Sequence, residues 1–149
     1  MPIVGLNLKS IKANISERKI MGSVDVNSTP VIKKVEKKDT NMPGMKAIVS
    51  IDFSFSTKYD MEDKKSGKKV DIGEISFEGE VLYFSEDIRE VLKKWEKDKK
   101  MDDKLTLEIL NAIFRRCLTK GIDLSAELGL PPPIRFPIVK PKQQDEYIG

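Results

Sequence analysis

The sequence predicts an α+β fold: a four-stranded antiparallel sheet with two C-terminal helices packed on one face. Three observations carry this expectation. First, Met45 to Tyr59 alternates in character. The odd positions Met45, Ala47, Val49, Ile51, Phe53, Phe55, Thr57 and Tyr59 are apolar apart from Thr57, and the even positions Lys46, Ile48, Ser50, Asp52, Ser54, Ser56 and Lys58 are polar apart from Ile48. Side chains on a strand point alternately to its two faces, so this strand has one dry and one wet face. A parallel strand covered on both sides would be apolar throughout, so the sheet reads as antiparallel. Second, Val70 to Phe84 repeats the alternation. Third, beyond Phe84 the apolar period changes to a helical one, first at Ile88, Val91, Leu92 and Trp95, then from Leu107 to Leu128.

Size and composition bound the rest. A chain of 149 residues is sized for one domain, expected over 1–137, with a flexible tail over 138–149. It buries roughly 68–70% of its unfolded surface and needs no disulfide or metal to hold it. Basic residues number 27 against 24 acidic ones, for a net charge of +3. That is a mixed surface, not the footprint of a dedicated nucleic-acid binder. Lys and Glu are plentiful and His is absent, usage that fits a thermophile. The single cysteine, Cys117, cannot form an internal disulfide, and without His it cannot belong to a Cys/His zinc site. No basic segment with an apolar run of signal-peptide length opens the chain, and no stretch approaches 18 apolar residues. The expectation is a cytoplasmic protein without membrane insertion.

The elements follow in order. In Met1 to Lys19, Leu6 and Leu8 share one parity and Ile11, Ala13 and Ile15 the other. A phase change between Ser10 and Ile11 suits a β-bulge in one long, bent strand; two short strands are the alternative. Met21 to Pro30 carries turn residues. Val31 to Lys38 reads as a short, charged edge strand, where Lys discourages pairing with other chains. Asp39 to Gly44 is a turn. Asp60 to Lys69 is a lysine-rich hairpin loop with Gly67 available for a positive φ. In the hairpin's second arm Ile75, Phe77, Gly79, Val81 and Tyr83 share a face, and Gly79 leaves room for a helix to approach.

Glu86 and Asp87 suit the positive amino end of a helix. Lys97 to Asp103 is a charged break, expected to be mobile. In the second helix Leu107, Leu110, Phe114, Cys117, Gly121, Leu124 and Leu128 form an apolar stripe that Ile109, Ile113 and Leu118 widen. The period continues through Gly121, which favours one long helix over two. Gly129 ends it, and Pro131 to Pro133 impose an extended path.

Catalytic chemistry is sparse. No Gly-rich phosphate cradle follows a strand, and no cofactor is expected. The absence of His removes the commonest general base. Glu78 and Glu80 share a strand face, the usual mark of a solvated surface. Asp102 and Asp103 could bind a metal but suit a helix start better. Cys117 falls on the apolar stripe, as a small core residue does. The basic stretches Lys33 to Lys38 and Lys93 to Lys100 are interrupted by Glu36, Glu96 and Asp98, which argues against a phosphate track. The expectation is a protein without enzymatic activity.

Three local features carry a resemblance. They are Phe77-Glu78-Gly79-Glu80-Val81 on the last strand, Ile109 to Leu118 (ILNAIFRRCL) with its Arg pair, and Leu130 to Phe136 (LPPPIRF). With the order of elements, these spacings resemble the SecB-like protein-export chaperone family over roughly Leu6 to Phe136. The resemblance implies a homo-oligomer, dimeric or tetrameric, that binds unfolded or partly folded polypeptides in apolar grooves. The chain departs from export chaperones in being mildly basic and in lacking Cys and His in its last residues.

Such binding needs accessible apolar surface beside a rigid sheet. Phe84, Ile88, Trp95, Ile134 and Phe136 are the polypeptide-binding candidates, where last strand, first helix and proline segment are expected to meet. The alternatives are an adaptor or assembly protein that binds one protein partner, and nucleic-acid binding through the Lys-rich loops.

Overall fold

The alternation around Phe53 becomes the centre of the sheet. The computed structural model describes residues 3–16, 23–41, 43–44, 47–63 and 65–134. Four strands, β1 (Ile3–Ile15), β2 (Val24–Asp39), β3 (Ala47–Glu62) and β4 (Lys69–Tyr83), precede two helices, α1 (Ile88–Asp98) and α2 (Asp103–Leu128). All pairings are antiparallel, in the order β1-β4-β3-β2. Val49, Ile51, Phe53, Phe55, Thr57 and Tyr59 are all buried. Phe55 stands opposite Phe77, Ile51 opposite Val81 and Thr57 opposite Ile75, so one register puts both apolar sets on the same face. A slip of one residue would turn that whole set outward. Both helices cover this dry face. The Phe114 ring of α2 meets Phe55 edge-on with centroids 5.2 Å apart, a geometry worth about 0.5–1.5 kcal/mol beyond burial.

β1 is one long strand. Its register against β4 shifts at Lys9, which has no opposite residue between the pairs Leu8–Gly79 and Ser10–Glu78. The bulge sits beside the phase change in the sequence and resolves it. Leu6, Leu8, Ile11, Ala13 and Ile15 face Val81, Gly79, Phe77, Ile75 and Gly73, so both parities end on the dry face.

β2 differs from expectation. The turn read over Met21 to Pro30 is strand from Val24 onward, and the short strand Val31 to Lys38 is the second half of a 16-residue one. Turn residues are accommodated there because β2 is an edge, where a proline without N–H costs no ladder bond on the open side. A second bulge, at Lys33, brings Ile32 and Val35 opposite Phe53 and Ile51 and leaves Val31 opposite Ser54.

Gly79 serves a different neighbour from the one expected. A Cβ there would collide with the Asn7 carbonyl oxygen of β1 and stand 3.0 Å from the Phe53 ring. The close approach is between strands, not between strand and helix.

Asp87 caps α1, accepting from the Glu90 N–H at 3.4 Å. The break after α1 includes one buried residue, Met101. Gly121 lies inside one continuous α2, where a Cβ would come within 3.3 Å of Pro133. Gly129, at φ 68°, ends the helix, and the Leu130 N–H donates back to the Ser125 carbonyl at 2.9 Å.

The buried face of α2 also departs from the stripe read in the sequence. It runs Leu105, Ile109, Ile113, Cys117, Gly121, Ser125. Steps of four advance about 40° past a full turn, so the covering face winds around the helix. Leu107 lies about five turns below Ser125 on the same side of the helix, yet Ser125 is buried and Leu107 is 62% exposed.

Tyr59 is fully buried and its hydroxyl has no hydrogen bond among the described residues. Burial pushes its pKa up. Ser125 lies close enough to soften that rise, but its own proton goes to the Ile122 carbonyl at 2.8 Å.

Two outcomes are expected. Gly79→Ala destabilises the fold by about 1–3 kcal/mol, because the methyl has no room; urea denaturation measures it. Tyr59→Phe leaves stability unchanged or raises it, since the lost hydroxyl is unsatisfied. A loss above about 1 kcal/mol would show that the hydroxyl has a partner.

Candidate functional site

A broad groove lies between β1 and α2. Its apolar floor is Leu6, Leu8 and Ile11, with Ala112 on the helix side, and Arg115, Arg116, Thr119, Lys120 and Asp123 stand along the helix flank. Its volume is about 980 Å³, at the upper end of the range for ligand sites.

Local chemistry explains why the space exists. The Lys9 bulge turns the apolar residues of β1 toward the helices. α2 crosses the dry face against β2, β4 and β1, but its winding buried face turns the Ala112–Asp123 flank away from close packing. Leu6 and Leu8 are half-buried, while Ile11 and Ile15 remain 46% and 40% exposed. The result is an uncovered apolar strip along an edge strand.

The cations on the flank are weakly engaged. Lys120 pairs with Asp123 at 3.8 Å. Neither Arg115 nor Arg116 has an ion-pair partner among the described residues. Cys117 does not open into this site. It is fully buried, and burial pushes its thiol up to about 12 against a small opposing effect of Arg116. At neutral pH it is a protonated core residue.

The wet face of the sheet contrasts with the groove. Glu78 is solvated, as expected, and accepts from Lys33 at 2.7 Å, which holds its carboxyl below its ordinary pKa. Glu80 is not. It is 5% exposed, because Ser50, Lys38 and Lys9 close over it at 3.0, 3.4 and 3.4 Å. Its burial is the largest single influence and acts to raise the pKa. The Ser50 hydroxyl and the two ammonium groups together outweigh it, so the carboxyl titrates below its ordinary value.

The residues singled out in the sequence do not gather at one place. Ile88 and Trp95 are half-buried against the core on α1, which packs on β2 at the edge opposite β1. Phe84 is half-buried just past the end of β4. Ile134 is half-buried beside Pro133, which stands against Gly121 of α2 near Phe77, seven residues back from Phe84. Phe136 and the tail lie outside the described residues. The groove residues Leu6, Leu8 and Ile11 were legible as apolar, but their common face depends on the bulge. The pair Arg115 and Arg116 was visible only as part of a resemblance.

No family model matches the sequence, and no curated protein matches it. Among solved structures, a SecB-like chaperone of Mycobacterium tuberculosis, in complex with a ChAD peptide from the HigA1 antitoxin, is similar. Identity is 15% and the TM-score 0.48, over 94% of this chain and 91% of that chain. The likeness is structural only. Among the described residues no cluster of His, Cys, Asp or Glu could hold a metal, and no helix is long and apolar enough to cross a membrane.

Because the folded pKa of Glu80 is depressed, its contribution to stability is present above the ordinary value of about 4.3 and is lost as pH falls through the folded value. Glu80→Gln should cost about 1–2 kcal/mol at pH 7, the lysines being half-exposed and free to rehydrate. The deficit should shrink as acid protonates the wild-type carboxyl. Chemical denaturation across pH 2–7 reads it; a constant difference would refute the assignment.

Proposed function

We propose that this protein is a non-catalytic polypeptide-binding module of the SecB-like chaperone type, which holds unfolded or partly folded segments in the groove between β1 and α2. The observation that carries this reading is the strip Leu6, Leu8, Ile11, Ala13 and Ile15. It belongs to the dry face by register yet is half-buried or exposed. Unfolded chains are recognised through apolar side chains, and such a strip beside an open groove offers them a place to bind.

The half-buried residues Ile88 and Trp95 supply a second apolar surface at the far edge, with Phe84 past the end of β4 and Ile134 beside α2. In this reading they extend the contact a long client makes, Phe136 with them, and the working form is a cytoplasmic homo-oligomer. Nucleic acid is a poor fit. Lys9, Lys33, Lys34 and Lys38 on the sheet are each paired with a carboxylate, so this lysine cluster is not a free track for a backbone of phosphates.

The test is suppression of aggregation of a thermally unfolding client, followed by light scattering at stoichiometric ratios. Wild type should suppress it. Ile11→Asp, a half-exposed position, should fold normally and lose most of the effect. A well-folded wild type that leaves scattering unchanged overturns the proposal. A pull-down with one stoichiometric partner and no others would replace it with the adaptor reading.

A further inference from the structure

Burial along the chain leaves one long excursion. Val81 near the end of β4 and Met101 just before α2 are buried, and no residue between them is. α1 lies wholly inside that stretch and holds no buried residue of its own. Ile88, Val91, Leu92 and Trp95 lean half-buried against the core, and every charged residue of the helix is exposed. The strand it packs on is β2. Its polar contacts are local. The Asp87 N–H donates to Ser85 Oγ at 3.1 Å, the Glu90 N–H donates to the Asp87 carboxylate at 3.4 Å, and the Lys99 ammonium stands 5.7 Å from the centre of the Trp95 ring. Among the described residues no ion pair ties the stretch to the sheet or to α2.

A helix of 11 residues is marginal in water by itself, so α1 is held by its apolar lean on β2. Segments with few buried contacts open at a fraction of the cost of global unfolding. The helix end adds strain. Lys99 closes α1 at φ 54°, the one positive φ at a non-glycine among the described residues, whereas Gly129 closes α2 in the same conformation without a Cβ. On the dry side of β2, Val26, Ile32 and Val35 stand opposite Tyr59, Phe53 and Ile51. Val35 is the one buried residue of β2, and Val26 and Ile32 are half-buried even with α1 in place. Removal of α1 would extend an apolar band that is already partly open.

Resting on the polypeptide-binding reading, we propose that α1 is a displaceable cover. It detaches from β2 between the anchors Val81 and Met101, and an unfolded apolar segment of a client takes its place on the band Val26, Ile32 and Val35. The band itself argues for that occupant. Ser28 and Pro30 fill its middle, so its inward positions carry no charge. From Val26 to Val35 it covers roughly 30 Å of strand, at about 3.3 Å per residue. A long, narrow, apolar surface of this kind fits an extended apolar segment. While closed, α1 competes for the band, so client affinity falls by the fraction of molecules that are open.

The experiment uses the full chain and, as client, a labelled unfolded polypeptide without tryptophan, reduced and carboxymethylated. Hydrogen exchange read by mass spectrometry should show the amides of 88–98 exchanging about a hundredfold faster than those of α2 and β3. Lys93→Gly/Glu96→Gly changes exposed positions, lowers helix propensity and leaves the apolar side of α1 intact. It should speed α1 exchange and tighten client binding, each about tenfold. Lys99→Gly removes the left-handed strain and should do the reverse, slowing α1 exchange and weakening binding about fivefold. Fluorescence anisotropy of the client gives the affinities. Trp95 is the one tryptophan of the chain, and its emission should shift when the client binds.

Protection of α1 equal to that of α2, or client affinity unchanged in both variants, overturns the cover. The groove reading is then judged separately, by whether Ile11→Asp weakens client binding. Faster exchange throughout β3 and α2 in the glycine pair also overturns the cover, since α1 then does not open by itself. Weaker binding by the glycine pair makes α1 a contact surface and overturns it too. A wild type that binds no client overturns both readings.

Discussion

The structure turns on a mismatch between the width of its dry face and the width of its cover. Neighbouring strands lie about 4.8 Å apart, so the outer strands of a four-stranded sheet are about 14 Å apart. A helix with its side chains is about 10 Å across. Two full-length helices would seal such a face. Here α1 has only 11 residues and keeps to β2, and α2 crosses obliquely. Its buried line winds from Leu105 to Ser125, and Leu6, Leu8 and Ile11 of β1 stay partly uncovered beside it. The groove is the remainder of that arithmetic, and Leu6, Leu8 and Ile11 are its floor.

The two bulges answer a second constraint. Both edge strands carry an unpaired lysine, Lys9 in β1 and Lys33 in β2, and both reach carboxylates on β4. Each bulge corrects the parity of its strand, bringing apolar residues on both sides of it to the dry face. Lys33 spans β3 at its serines, small enough to let a long side chain pass. Glu78 and Glu80 are thus paired across the sheet. Among the described residues Arg115 and Arg116 at the groove have no ion pair, and neither have Lys12, Lys37 and Lys58 on the sheet.

Much of the fold was legible. The period-2 pattern of β3 and β4 and the start of α1 at Asp87 are local properties of the chain, and so are the continuous α2 through Gly121 and its end at Gly129. The errors have one origin. The turn residues of 24–30 form strand because β3 supplies a partner along their length. Gly79 reads as space for a helix, but the space is used by β1. Leu107 has the right period and the wrong face. Glu80 has the pattern of a solvated residue and is covered by Lys9 and Lys38, each distant in sequence. The site suffers most, because a groove is defined by what two elements leave uncovered.

Taken alone, the sequence determined the two central strands and the two helices, and which face of each central strand is dry. Those depend on the spacing of neighbours along the chain. The tertiary structure alone decided the register of the edge strands, the winding of the α2 contact, the burial of Glu80 and the place of the groove. Each requires knowing which distant residues meet, and hydrophobic periodicity is silent on that because it reports a face without naming what lies against it.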